Sequence, residues 1–209
     1  MTRTYALASV AAIGALMAGT IFAIYTARGD GDQFSQCREG IVAGGAGTIG
    51  GAFELVSETG ETVTDTDVIT EPTLVYFGYT FCPDVCPLDT VRNAEAVDIL
   101  DENGRRVQPV FITVDPSRDT PEVMAAYTEN IHERMLGLSG TEEQTHAAAS
   151  VYRVYYQNHD DGTDPYYLVD HTAFTYLMLP EFGFVDFFNR DVTPAEMAER
   201  TACFIDAAS

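Results

Sequence analysis

Thr73-Leu74-Val75-Tyr76-Phe77-Gly78-Tyr79 runs directly into Thr80-Phe81-Cys82-Pro83-Asp84-Val85-Cys86-Pro87, and beyond it Leu88, Val91, Ala94, Val97 and Leu100 recur at helical spacing. The first run is nearly all apolar, the signature of a strand buried on both faces. The Cys- and Pro-containing segment is then a strand-to-helix turn, and Asn103-Gly104 ends the helix. A second apolar run, Val110-Phe111-Ile112-Thr113-Val114, stops at Asp115-Pro116. Strand, helix and strand make a βαβ crossover. Its cysteines lie at the carboxyl end of a central strand, where open α/β sheets bind ligands.

Outward from this unit, Thr120 with Pro121 predicts a helix start, the helix running to about Asn130. A further helix is expected from about Glu142, leading into a strand from Val151 to Gln157, and Asn158 to Pro165 is a polar turn. Residues 174–179 and 184–188 form a hairpin broken by Pro180 and Gly183, and Thr193-Pro194 opens a last helix to about Ala207. Upstream, residues 52–56 and 62–64 flank Glu58-Thr59-Gly60-Glu61 as a short β-hairpin. The expected class is α/β, a mixed sheet covered by helices.

The chain has 209 residues, enough for one domain of ordinary size and an anchor. Its 32 acidic residues face 11 basic ones, all of them Arg, for a net charge of −21. Such a surface repels nucleic acid and anionic lipid headgroups, so no nucleic-acid partner is expected. It keeps the domain soluble, or attracts a cationic partner or metal ion.

Tyr5 to Tyr25 is uncharged, and at ~1.5 Å per residue it reaches about 31 Å, the hydrocarbon thickness of a bilayer. Residues 1–28 are therefore expected to form a single N-terminal transmembrane helix. A cleavable signal peptide is the competing reading, though its apolar core is usually shorter, roughly 7–15 residues. Arg3 inside and Arg28 outside place the bulk of the chain in the periplasm of a bacterium, on a single-pass inner-membrane anchor. Residues 29–49 form a Gly- and Ala-rich tether, and residues 50–209 the globular domain.

Cys82 and Cys86 are four apart, so on one helix face both sulfurs can converge. A helix N-terminus favours thiolate, the form that binds metal or attacks disulfides, whereas Asp84 and Asp89 nearby should partly oppose it. Closed zinc sites and iron–sulfur clusters need about four protein ligands, and no second Cys pair of that kind is present. Two thiolates and one imidazole suit Cu(I). Two buried thiols, or one local disulfide without metal, remain open. Of the four histidines, His132 and His146 lie in acidic, solvated stretches and His159 in the polar turn. His171 enters a strand inside the apolar body, with Asp170 beside it to orient the ring or balance charge.

Residues 76–87, followed by Phe111-Ile112-Thr113-Val114-Asp115-Pro116-Ser117-Arg118-Asp119-Thr120-Pro121 and Tyr167-Leu168-Val169-Asp170-His171-Thr172, closely resemble the Sco/SenC family in colinear order from about Gly50 to the end. The resemblance implies a thioredoxin-like domain on an N-terminal anchor. It implies a copper ion, Cu(I) or Cu(II), held by Cys82, Cys86 and His171. It implies as partner the CuA site of cytochrome c oxidase subunit II, and other copper or thiol-redox proteins of the cell envelope. The chain is then a metallochaperone rather than an enzyme, or alternatively a thiol–disulfide reductase with Cys82 and Cys86 as its redox pair. Thioredoxins use Cys-x-x-Cys and a facing cis-Pro; here the spacer is longer and His171 falls in the proline's region. Cys37 and Cys203 lie outside the copper motif, and in an oxidising compartment two such cysteines most simply form a structural disulfide.

Overall fold

A strand buried on both faces needs a partner at each edge, and the two apolar runs supply this for one another. The computed structural model describes residue 14 and residues 16–20, 33–38 and 49–209. The elements are β1 (Glu54–Ser57), β2 (Thr62–Thr64), α1 (Asp65–Val68), β3 (Thr73–Gly78), α2 (Val85–Glu102), β4 (Gln108–Thr113) and α3 (Pro121–Glu129). They continue as β5 (Leu136–Ser139), α4 (Glu142–Val151), β6 (Tyr156–Asn158), β7 (Val169–His171), β8 (Thr175–Leu179), β9 (Gly183–Phe188) and α5 (Pro194–Ala208). β3 and β4 pair in parallel, Tyr76 opposite Phe111. β8 runs antiparallel on the other edge of β3. The sheet order is β2-β1-β5-β4-β3-β8-β9, a mixed, thioredoxin-like sheet flanked by helices. A separate antiparallel ribbon pairs β6 with β7.

The helices begin where hydroxyls can cap free amides. Thr120, Thr141 and Thr193 each accept from the backbone N–H three residues on, with Pro121 and Pro194 in the first turn. Gly104, at φ +73°, takes the left-handed turn after α2. Phe77, Phe111, Tyr152 and Leu138 are fully buried in the core, with Phe77 5.2 Å and Tyr176 5.5 Å from the Tyr152 ring.

The hairpin of β1 and β2 forms with Leu55 opposite Val63, and Gly60 turns at φ +86°. Three features depart from the sequence expectation. β5, between β1 and β4, is a four-residue strand that the apolar pattern does not reveal. The strand expected from Val151 starts only at Tyr156, because α4 continues through Val151 and Arg153 turns the chain at φ +56°. Leu88 and Val91, expected on the inner face of α2, are 62% and 42% exposed, while Asp89, Arg92 and Asn93 are buried. Arg92 Nη1 donates to the Asn189 carbonyl at 2.8 Å and Nη2 to Thr175 Oγ1 at 2.9 Å, while its Nε is buried without a hydrogen-bond partner among the described residues.

The chain separates into two compact units, Met1–Gln36 and Cys37–Ser209. Most of the stretch expected to span a membrane, and most of the tether after it, lies outside the described residues. The single-pass, inner-membrane and periplasmic location requires correction. Among the described residues no helix is long and apolar enough to cross a membrane.

Cys37 and Cys203 are joined in a disulfide across 166 residues, their Cα atoms 5.6 Å apart. Beside it Arg38 Nε donates to the Val185 carbonyl at 3.0 Å. Closing so long a loop removes much denatured-state freedom. Cys203→Ser is therefore expected to cost about 2–5 kcal/mol. Thermal melts of the full chain check this, and an unchanged Tm would contradict it.

Candidate metal centre

The carboxyl end of β3 must let a sulfur approach its backbone closely. A Cβ at Gly78 would stand 3.1 Å from Cys86 Sγ and 2.9 Å from the Tyr76 ring, so a side chain at this position would displace the cysteine. The turn after it is pinned by Asp119, which is fully buried. Asp119 Oδ2 accepts from Thr80 N at 3.0 Å and Thr113 Oγ1 at 2.6 Å, and Oδ1 from Thr80 Oγ1 at 2.5 Å. Burial raises the Asp119 carboxyl above the usual range, against the lowering effect of those bonds. One carboxylate thus ties the end of β4 to the start of the cysteine turn.

Cys86 lies in the first turn of α2, and its amide donates to Cys82 Sγ at 3.3 Å. Cys86 is fully buried and Cys82 is 9% exposed, so the pair is reached from the Cys82 side. His171, the last residue of β7, brings Nε2 to 3.2 Å from Cys86 Sγ. Its Nδ1 is 3.2 Å from the Thr172 carbonyl. With its proton on Nδ1, toward that carbonyl, the ring offers the Nε2 lone pair to a metal; with its proton on Nε2 it donates to a thiolate. Tyr76 and Tyr79 meet the ring edge-on, with centroids at 6.2 and 5.9 Å. The three donor atoms lie within 4.8 Å of one another, and among the described residues this is the one such cluster. Metal–sulfur and metal–nitrogen bonds of about 2.0–2.3 Å need only small side-chain adjustments from there. Two soft sulfurs and an imidazole fit a copper ion.

The two thiols share their protons unequally. The Cys86 thiol donates to Cys82 and draws the Cys82 thiol down to about 3, against burial; His171 and the amides of Asp84 and Cys86 add to the shift. Cys86 is pushed up, first by that bond and then by burial. Near the pair, Asp84 contributes its amide to the Cys82 shift, and Asp89 accepts from Tyr76 Oη at 3.0 Å between Arg92 and Arg190.

Asp170 is not at the ring of His171. Its Oδ2 is 2.8 Å from His159 Nε2, out on the ribbon's exposed side. His132 faces Asp98 at 3.4 Å and His146 is exposed, so neither joins the centre. Cys37 and Cys203, bonded to each other, are not part of it either. Sequence reasoning assigned no role to Tyr76, Tyr79, Arg118 or Asp119. The only signal for the last two is their place in the run 111–121.

The family model described as SCO1/SenC matches residues 42–206. Protein SenC of Rhodobacter capsulatus is 51% identical over 206 residues, covering 99% of this chain and 92% of that protein. The crystal structure of Arabidopsis thaliana ScoI with copper bound superposes with a TM-score of 0.70 at 38% identity, over 76% of this chain and 99% of that one. A SCO1/SenC family lipoprotein from Bacillus anthracis shares the fold, with a TM-score of 0.66 at 21% identity over 77% of this chain and 95% of that one.

A stabilised Cys82 thiolate has a direct kinetic consequence. Iodoacetamide is expected to label Cys82 before Cys86, at a rate nearly flat from about pH 5 to about pH 7. Mass-spectrometric mapping checks this; prior labelling of Cys86, or a rate climbing about tenfold per pH unit, would contradict it.

Proposed function

The chain belongs to the SCO1/SenC family, and from that premise we propose that it is a copper metallochaperone serving cytochrome c oxidase assembly, with residues 50–209 as its copper-binding domain. Copper is the cargo, Cys82, Cys86 and His171 its ligands, and the CuA site of oxidase subunit II its destination. The observation that carries this reading is the convergence of those three donor atoms within 4.8 Å, in a relative of a ScoI solved with copper bound. The gradient of exposure supports delivery as well as binding. An acceptor's thiol can reach the Cys82 side first and the buried Cys86 last, so copper changes hands one ligand at a time. Loading displaces the single proton held between the sulfurs, which makes affinity rise with pH while that proton is bound.

A second reading, a thiol–disulfide reductase acting on the oxidase's CuA cysteines or on other envelope proteins, has one observation in its favour. The Cys82 thiolate can attack a target disulfide, releasing one target thiolate and forming a mixed disulfide. Cys86, giving up its proton, then attacks Cys82 sulfur, leaving a Cys82–Cys86 disulfide and a fully reduced target. Against this, a strongly stabilised thiolate favours the reduced dithiol, as in strong oxidants, and is a weaker nucleophile. The same stabilisation suits a metal ligand, so the chaperone reading stands first.

His171→Ala in the reduced full chain is expected to weaken Cu(I) binding by at least the roughly 10–100-fold that loss of an outer partner costs, with little change in Tm. Cys82→Ser and Cys86→Ser are expected to abolish tight binding. Competition titration against a Cu(I) chelator measures all three, and wild-type affinity in His171→Ala would remove the imidazole from the ligand set. His171→Ala is further expected to retain any disulfide reduction of which the wild type is capable, which separates the two readings.

A further inference from the structure

Arg118 supplies no ligand atom, yet it touches both segments that do. Its guanidinium carbon lies 3.5 Å from the centroid of Tyr167, 5.0 Å from Phe81 and 5.6 Å from Tyr79. Phe81 and Tyr79 belong to the turn that presents Cys82; Tyr167 precedes the strand that presents His171. The polar edge of the guanidinium is anchored as well. Nε donates to Asp115 Oδ2 at 2.5 Å, and Nη1 to the Pro165 carbonyl at 3.2 Å. Asp115 is 1% exposed, and its Oδ1 accepts from Tyr167 Oη at 2.9 Å and Ser117 Oγ at 2.8 Å. The Arg118 side chain is only 12% exposed. A charge this withdrawn from water is tolerated because it is paired and because three ring faces replace its hydration.

The contacts continue to the centre through one residue. Tyr79, stacked on Arg118, accepts the Val169 amide on its Oη at 3.3 Å and meets the His171 ring edge-on at 5.9 Å. The β6–β7 ribbon belongs to no other sheet, so it is not fixed by strand pairing to the βαβ unit. What ties its outer end to the cysteine turn is the stack around Arg118.

We propose that Arg118 is a positioning residue: its guanidinium, clamped between the cysteine turn and the ribbon, sets His171 Nε2 against the two sulfurs. The inference rests on the copper reading and deepens it. Arg suits the position because a planar cation can stack on rings while its edge bonds a carboxylate; an ammonium cannot do both.

The test is a double-mutant cycle in the reduced full chain, with Cu(I) affinity from chelator competition as readout. Arg118→Ala is expected to weaken copper binding about tenfold. In a His171→Ala background, where the two thiolates still give measurable affinity, it is expected to cause no further loss. A structural effect on the whole domain would weaken binding equally in both backgrounds, and that result would overturn the proposal. Should Arg118→Ala not fold, Arg118→Lys serves. It keeps the charge and is expected to lose affinity a few-fold, again only when His171 is present. Wild-type affinity in Arg118→Lys would then contradict the clamp. The absorption spectrum of the Cu(II)-loaded protein is the second readout: Arg118→Ala is expected to shift it toward that of His171→Ala, and an unshifted spectrum tells against the proposal. Failure of the wild type to bind copper at all would instead sink the copper reading, and this inference with it.

Discussion

The contact between Cys86 Sγ and His171 Nε2 spans 85 residues of sequence and joins two pieces of backbone that share no strand pairing. One piece is the β3–α2 turn, rooted in the most buried part of the sheet. The other is the β6–β7 ribbon, outside that sheet. For the contact to form, β3 must end in a residue without a side chain, since a Cβ at Gly78 would crowd Cys86 Sγ at 3.1 Å. The turn must then be held in place, as it is by the buried Asp119 carboxylate through Thr80. Finally the ribbon must be carried to the turn, and the aromatic stack around Arg118 spans that gap. Sheet, carboxylate and stack are successive conditions for a single donor geometry.

Electrostatically, the centre is unlike the rest of the molecule. The chain as a whole is strongly acidic, at −21, yet the sulfurs are approached by backbone amides and an imidazole rather than by free carboxylates. Asp89, the nearest buried acid on α2, has Tyr76, Arg92 and Arg190 against its carboxylate. Local dipoles therefore stabilise one thiolate while the wider negative field favours an incoming cation. Both terms act in the same direction for a soft metal. For a disulfide reductant the first acts in the wrong direction, because it stabilises the reduced thiol pair.

Much of this was legible in the sequence, for reasons that can be located. β3 and β4 are uninterrupted apolar runs, and α3, α4 and α5 begin at Thr caps followed by a Pro or by acidic residues, so their types followed from composition alone. β5 was not legible: it has four residues and includes Gly137, where a Cβ would come within 2.7 Å of Glu58 Oε2, so the tertiary contact rather than propensity selects the residue. The face of α2 was misjudged because its buried side carries Asp89, Arg92 and Asn93, linked by a hydrogen bond and an ion pair, while Leu88 and Val91 face outward. At the centre, spacing alone suggested that Cys82 and Cys86 converge. His171 followed from its apolar surroundings and from the family resemblance. The partner of Asp170 did not follow, since sequence adjacency to His171 cannot show that alternate residues of a strand point to opposite sides. Arg118 was invisible as a clamp because its partners, Phe81, Tyr79 and Tyr167, lie far from it along the chain.

The central claim is that two sulfurs and one imidazole nitrogen form one copper site. X-ray absorption spectroscopy at the copper edge, on the reduced full chain loaded with one equivalent of Cu(I), reports that ligand set without reference to any activity. The account predicts two sulfur scatterers and one imidazole at bonding distance, the imidazole signature vanishing in His171→Ala. A first shell of sulfur alone, or an imidazole signature that survives the loss of His171, would contradict it.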